Sequence, residues 1–412
     1  MTTLHDPRTK RPFPTQVLHE GDPLPSKRTY IDIHVIQTVP PSNLNRDDAG
    51  SPKQAMFGGV RRARVSSQAW KRATRMHFVE RTPPAAQATR TARISALLRD
   101  GLVARTDLDA AQADRVTSAL LAPLEIKGGK KKENTAYLLF FGRAQLDRII
   151  EQDAARLGAG TTELSDKALA AVLTDISVRA ELGVGHPIDV ALFGRMVADL
   201  PDLNVDAAVQ VAHAISTHAV ETEFDYFTAV DDEKDLSLGD DAGAAMIGTI
   251  EFNSATLYRY ATVCLHELIH NVGGATDDAV DAVRRFVDGF IRSMPTGHQS
   301  SFAHRTLPDA VVVVVRDDQP VNLVSAFERP VRPKRSEGGY AAASLVALAS
   351  AAAEVGERWG GEPRLVGATY AAPVSEGDQA IVSRAFGDSV PFDHLLAVTV
   401  AAAKDRIAEA AS

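Results

Sequence analysis

Tyr30-Ile-Asp-Ile-His-Val-Ile-Gln-Thr-Val-Pro-Pro41 opens the folded part of the chain. Ile31, Ile33 and Val35 alternate with Asp32 and His34, a period of two that predicts a half-buried strand ending in a loop at Pro40-Pro41. Further on, Ile250 and Phe252, then Thr256, Tyr258, Tyr260 and Thr262, repeat that alternation among aromatic and β-branched residues. Val311 to Val315 is continuously apolar and predicts a buried central strand. A helix is expected from Asp277 to Met294, with Val280, Val283, Val287, Phe290, Ile291 and Met294 on one face and Thr276 as its cap. Residues 80–200 read as Ala- and Leu-rich helices. A strand, a long helical stretch, then strand, helix and strand predict an α+β sheet domain interrupted by a helical domain. No internal repeat is visible.

With 412 residues and 45% hydrophobic composition, the chain can bury two or three compact units. Its one cysteine, Cys264, excludes an intramolecular disulfide framework. No apolar run approaches a membrane span and no signal-peptide core is seen, so a cytoplasmic address is expected. Residues 1–28, with Pro7, Pro12, Pro14, Pro23 and Pro25, read as a poorly ordered tail or a docking arm.

Charge is segregated. The protein carries a formal net charge of -8, yet between Asp48 and Glu80 lie Lys53, Arg61, Arg62, Arg64, Lys71, Arg72 and Arg75 with no acid among them. Such a run can simply solvate a loop and a helix face. Its spacing argues for more. Arg64-Val-Ser-Ser-Gln-Ala-Trp-Lys-Arg-Ala-Thr-Arg75 reads as a strand end, a serine cap and a helix on which Lys71 and Arg75 share a face. The unpaired N–H groups of that helix start favour an anion beside Ser66, Ser67 and Gln68. Trp70 and Ala73 are expected to pack the opposite face into the core. Lys127-Gly-Gly-Lys-Lys-Lys132 reads as a basic loop, solvated or in contact with a second strand.

His266-Glu-Leu-Ile-His270 fits the H-E-x-x-H string of zinc peptidases, with Glu267 as general base. The third ligand position of the extended form holds Thr276, and Gly273-Gly274 leaves about two turns of helix, a poor platform for a rigid metal site. The favoured reading packs Leu265, Leu268 and Ile269 on the sheet and turns both histidines outward.

Taken together, Ser42-Asn-Leu-Asn-Arg-Asp-Asp48, Phe57-Gly-Gly59, Arg64-Val-Ser-Ser-Gln68 and Trp70-Lys-Arg-Ala73 resemble the CasC family, backbone subunits of the type I-E CRISPR surveillance complex Cascade. Asp189-Val-Ala-Leu-Phe-Gly-Arg-Met196, Ala212-His-Ala-Ile-Ser-Thr-His218, Phe227-Thr-Ala-Val-Asp-Asp232, Tyr258-Arg-Tyr-Ala261 and Asn271-Val-Gly-Gly274 continue the resemblance in order. It implies an RRM-like (ferredoxin-like) palm, a helical fingers insertion and a β-hairpin thumb. The corresponding divisions are palm over 29–65, fingers over 66–200, a palm helix over 201–219, the thumb over 220–253, and the rest of the palm with C-terminal helices over 254–412. Glu223-Phe-Asp-Tyr-Phe and Ile247-Gly-Thr-Ile-Glu-Phe252 independently read as the two arms of that hairpin.

The resemblance further implies a non-catalytic, homo-oligomeric ribonucleoprotein subunit for antiviral defence. Copies would assemble with other Cascade subunits along one guide RNA and present it to target DNA, with no cofactor. Arg46, Lys53, Ser66, Ser67, Gln68, Lys71, Arg72 and Arg75 would contact the guide, and Met196 would wedge against its bases. His298 stands where relatives can carry lysine. In other CRISPR classes, related subunits cut RNA from the loop after the first strand, where this chain has Asp47 and Asp48; these could hold Mg²⁺ or only cap a turn.

Overall fold

The computed structural model describes residues 28–124, 135, 138–157, 163–173, 176–229, 246–333, 339–371 and 375–411. The Pro-rich stretch before residue 28, the Lys127–Lys132 loop and the acidic loop between the hairpin arms lie outside the described residues.

The first part of the chain forms β1 (Tyr30–Ser42), β2 (Gln54–Phe57), β3 (Val60–Val65) and α1 (Ser67–Val79). There follow β4 (Ala88–Thr91), α2 (Ile94–Arg105), α3 (Ala110–Leu121), β5 (Leu139–Gly142), α4 (Arg143–Arg156), α5 (Asp166–Val172), α6 (Val178–Gly183) and α7 (Ile188–Phe193). The chain then returns to strands with β6 (Val209–Val211), β7 (Ala214–Ser216), β8 (Glu223–Ala229) and β9 (Met246–Cys264). The remainder comprises α8 (Leu265–Asn271), α9 (Thr276–Arg292), α10 (Gln299–Phe302), β10 (Ala310–Arg316), α11 (Ala341–Trp359), β11 (Leu365–Tyr370), α12 (Glu376–Phe386) and α13 (Phe392–Ala411).

The main sheet runs β11-β10-β1-β9-β7-β3-β2, with β6 and β8 pairing the two ends of β9. Its ladders are antiparallel. The expected α+β class is thus found, as mixed helix and antiparallel sheet. Within it, the path β1–α1–β7–β9–α9–β10 sets its strands in the spatial order β10-β1-β9-β7.

Both sheet faces are covered, and that explains the apolar run of β10. Val311, Val313 and Val315 enter one core with Ile31, Ile33, Val35 and the α9 residues Val283, Phe286 and Phe290. Val312 points to the other core, with Leu345 and Leu348 of α11 and Phe386 of α12. Cover on the second face also corrects the reading of β1 as half-buried. Asp32 and His34 are 0% and 2% exposed. Each polar group has found a partner: the Tyr260 hydroxyl donates to Asp32 Oδ1 at 2.8 Å, the Val321 N–H donates to Oδ2 at 2.9 Å, and His34 Nδ1 lies 2.9 Å from the Tyr258 hydroxyl.

Three boundaries differ from expectation. Residues 201–219, expected as a palm helix, contain one 3₁₀ turn followed by β6 and β7, because Val209 to Val211 and Ile215 find open hydrogen-bonding edges on β9. α9 starts at Thr276 with Ala275 as N-cap, and Met294 lies beyond its end, buried beside Trp70. α1, expected in the fingers, instead packs on α9; a Cβ on Gly289 would lie 3.2 Å from Thr74 O.

The helical insertion has its own core, from Ile94 to Leu203. Arg195 ties it together from within. Only 4% exposed, its guanidinium donates to the carbonyl oxygens of Leu203 at 2.6 Å, Leu182 at 2.9 Å and Phe140 at 3.4 Å. Burial pushes its pKa down to about 10. Among the described residues no helix is long and apolar enough to cross a membrane.

Candidate nucleic-acid interface

The loop from Asn43 to Lys53 is shaped by its own polar residues. Asn43 donates to Gly50 O and Glu251 O, both at 2.9 Å. Asp47 Oδ1 accepts from the N–H groups of Ala49 and Ser51 at 3.0 Å, an Asx turn. Asn45 Oδ1 accepts from Ser66 N at 2.9 Å and Asn45 O from Lys53 N at 2.8 Å, which docks the loop on the start of α1. On its other side lies Gly297, where an added Cβ would sit 2.3 Å from Leu44 O; only glycine permits that approach. The next residue, His298, has φ 49°, and Arg46 donates to its Nε2 at 2.6 Å.

At α1, Ser66 is the N-cap and its Oγ accepts from Ala69 N at 3.3 Å. Trp70 is fully buried under the Arg259 guanidinium, 3.8 Å from ring centre to Cζ, as expected of a core residue. Gln68 and Arg72 are exposed, and Ser67 and Lys71 partly so. Burial pushes the Lys71 ammonium below the usual lysine range. Among the described residues Arg46, Lys53, Lys71 and Arg72 have no carboxylate partner, so the positive charge of this surface is uncompensated. The loop, the helix start and the His298 turn therefore bring Arg46, Lys53, Ser67, Gln68, Lys71, Arg72 and His298 to one region.

Other predicted residues have different roles. Arg75 donates to Asp189 Oδ2 at 2.8 Å and to Ala88 O at 3.0 Å, and its guanidinium lies 4.9 Å from the Phe140 ring centre. It therefore clamps α1 to the insertion and is not free for a phosphate. Ser66 is 6% exposed and serves as the cap. Arg62, part of the basic run, is fully buried and donates to the carbonyls of Phe57, Ser216 and Phe327 at 3.1, 2.9 and 2.7 Å. Met196 is 81% exposed although Arg195 and Val197 on either side are buried, so its side chain stands out from an anchored backbone.

Arg64 belongs to the basic run but not to the expected guide contacts; it donates to Gln54 O at 3.2 Å and to His213 Nδ1 at 3.1 Å. His213 is held below its usual range by burial, then by Arg64 and Lys53, which places Lys53 in the same cluster. Sequence reasoning did not pick out the aromatics on β8: Phe224 and Tyr226, two apart on one face, are 67% and 63% exposed. Their alternation was legible and their exposure was not.

Beyond this region, α8 carries His266 edge-on to the Tyr30 ring at 5.3 Å, so this histidine is partly covered while His270 faces outward. Among the described residues no group of three or more His, Cys, Asp or Glu side chains is placed to hold a metal ion.

A surface rich in N–H and hydroxyl donors and uncompensated cations is chemically suited to phosphate and sugar oxygens more than to base edges. A family model described as "CT1975-like protein", a Cas family, matches residues 31–389. The chain belongs to this family. Two solved structures resemble this CT1975-like chain. A chain of "CRISPR RNA-guided surveillance complex, pre-nicking" is 33% identical, with a TM-score of 0.75 and coverage of 91% of this chain and 100% of that one. A chain of "CRISPR RNA-guided surveillance complex" is 28% identical, with a TM-score of 0.67 and coverage of 90% and 99%. No curated protein matches the chain.

Proposed function

We propose that this Cas-family chain is the guide-RNA-binding backbone subunit of a CRISPR surveillance complex of type I-E. Copies lie side by side on the spacer part of one guide and present it to target DNA, without cutting it themselves. The observation that carries this reading is the uncompensated cluster around the start of α1 on a chain whose formal net charge is -8. A scaffold for any spacer has to grip phosphates and ribose and leave base edges free, and Arg46, Lys53, Ser67, Gln68, Lys71 and Arg72 supply donors suited to that grip. The two similar chains, both solved in RNA-guided surveillance complexes, support the same partner.

Other features fit this role. The strand order β10-β1-β9-β7, in a β-α-β-β-α-β path, is that of a ferredoxin-like palm. The β8–β9 hairpin, with Phe224 and Tyr226 exposed, is the thumb that reaches the guide held by a neighbouring copy. Met196 is the apolar wedge against guide bases. Asp47 orders its own loop through two backbone N–H groups, which supports the turn-capping role for that residue.

Native mass spectrometry with RNAs of increasing spacer length tests the proposal. Stepwise addition of protomers is expected; a fixed one-to-one mass at every length would overturn it. The same protein, incubated with complementary RNA and Mg²⁺, is expected to leave that RNA intact.

A pH dependence follows from His298. Burial first, and Arg46 second, hold this imidazole below its ordinary range, so near neutrality it is an uncharged acceptor for Arg46. Protonation breaks that bond, frees Arg46 and adds a charge. Phosphate favours the protonated form and raises the histidine's pKa in the complex. Guide affinity should therefore rise as pH falls through the complexed value and level off below the free one. Titration of binding from pH 8 to pH 5.5 should show this rise, and His298→Gln should flatten it; equal profiles would remove His298 from the site.

A further inference from the structure

Along the solvent side of α1, beyond the guide surface, runs a groove of about 610 Å³ between the helix and the segments 292–297 and 305–307. Arg72, Arg81, Arg292 and Arg305 line it. Arg292 is neutralised by Asp288 at 2.8 Å and Asp393 at 2.7 Å, and His77 Nε2 lies 3.0 Å from the same Asp288, so the Arg292 side of the wall carries little free positive charge. The other three arginines are different. Arg81 donates only to the backbone oxygen of His77 at 2.6 Å, and among the described residues neither it nor Arg72 nor Arg305 has a carboxylate partner. Glu80 is the one carboxylate among the lining residues. Leu44 and Gly297, which fix the Arg46–His298 corner, also line the groove, so it is continuous with the guide surface.

We propose that this groove is a second phosphodiester site, in which Arg305 and Arg81 take backbone phosphates of the strand that Arg72 passes on from the guide surface. The inference rests on the guide-binding reading. Three uncompensated guanidiniums around an open groove favour a polyanion, and the fork of each suits a phosphate. The open groove and exposed arginines suit a backbone and not a base, so the site is sequence-tolerant.

The strand is either the guide itself or the paired target DNA, and two arms of one experiment separate them. Full-length protein is titrated by fluorescence anisotropy with labelled guide-length RNA, and separately, once loaded with unlabelled guide, with labelled complementary single-stranded DNA. Arg305→Glu should weaken binding at least fivefold in one arm and reduce its salt slope by about 0.7 to 1.4 units, with Arg305→Lys restoring most of the loss. The affected arm identifies the strand. Arg305 is exposed and pairs with no described carboxylate, so the unfolding temperature should not move. Unchanged binding in both arms, alongside a Lys71→Ala/Arg72→Ala variant that loses guide, would overturn the groove and leave the guide surface standing. If that double variant also binds normally, the guide-binding reading itself fails.

Discussion

Replacing Lys71 and Arg72 together by alanine should abolish guide loading while leaving the fold intact. Neither side chain is tied to a described carboxylate, and Arg72 is exposed, so little native packing is lost. On the RNA side the loss is large. Each charge-assisted bond to phosphate is worth about 1.5–3 kcal/mol, so removing two weakens binding by on the order of a hundredfold or more at moderate salt. If each copy makes about four such contacts, the slope of log affinity against log salt is roughly -3 per copy, and the double variant should flatten it by one to two units. Lys71 adds a pH signature. Burial has pushed its ammonium down, and a phosphate restores it, so wild-type affinity should fall as pH rises through that depressed value, and the variant should not show this fall. Circular dichroism and anisotropy on the same preparation make the test. A variant that binds with wild-type affinity and slope ends the assignment.

The second large effect is expected inside the insertion. Arg195→Met keeps the apolar stem and removes the guanidinium, leaving the carbonyls of Leu203, Leu182 and Phe140 buried without their donor. Each such orphan costs about 1–3 kcal/mol, and the three together about 3–9 kcal/mol, comparable with the whole stability of a small unit. Limited proteolysis should then cut first between Ala88 and Asn204, while the main sheet stays protected. Because Met196 is the next residue, the same change should loosen the proposed wedge against the bases. An unchanged cleavage pattern and unfolding temperature would show that water replaces the guanidinium without penalty.

Much of the architecture was legible because its signals are local. The two-residue period of β1, the valine run of β10 and the serine before α1 each report a structure made within a few residues. What was not legible depends on distant chain. Arg62, Arg72 and Arg75 are neighbours in one basic run, yet Arg62 meets carbonyls at 216 and 327, Arg75 meets Asp189, and only Arg72 stays free. Composition cannot assign those fates, since a guanidinium that clamps backbone oxygens and one that grips phosphate look alike in sequence. The residues from 209 to 216 failed for a related reason: segments three residues long carry too little periodicity to announce themselves, and become strands because β9 offers them an edge. Asp32 and His34 were read as outward-facing because a helix more than 300 residues away, α11, supplies their cover.

Strand β9 runs unbroken for 19 residues, first as one arm of the hairpin and then between β1 and β7 in the middle of the sheet. Its pairing with β8 covers seven residues, which at about 3.3 Å each extends roughly 23 Å from the sheet. β9 itself is continuous through both halves, and the register shift beside Asn253 falls on β1, so the paired part of the arm takes its bearing from the packed interior. In a row of identical copies, such an arm would act as a gauge: the interval at which it touches each neighbour would be a fixed dimension of the core, set when the protein folds and indifferent to the RNA sequence being measured.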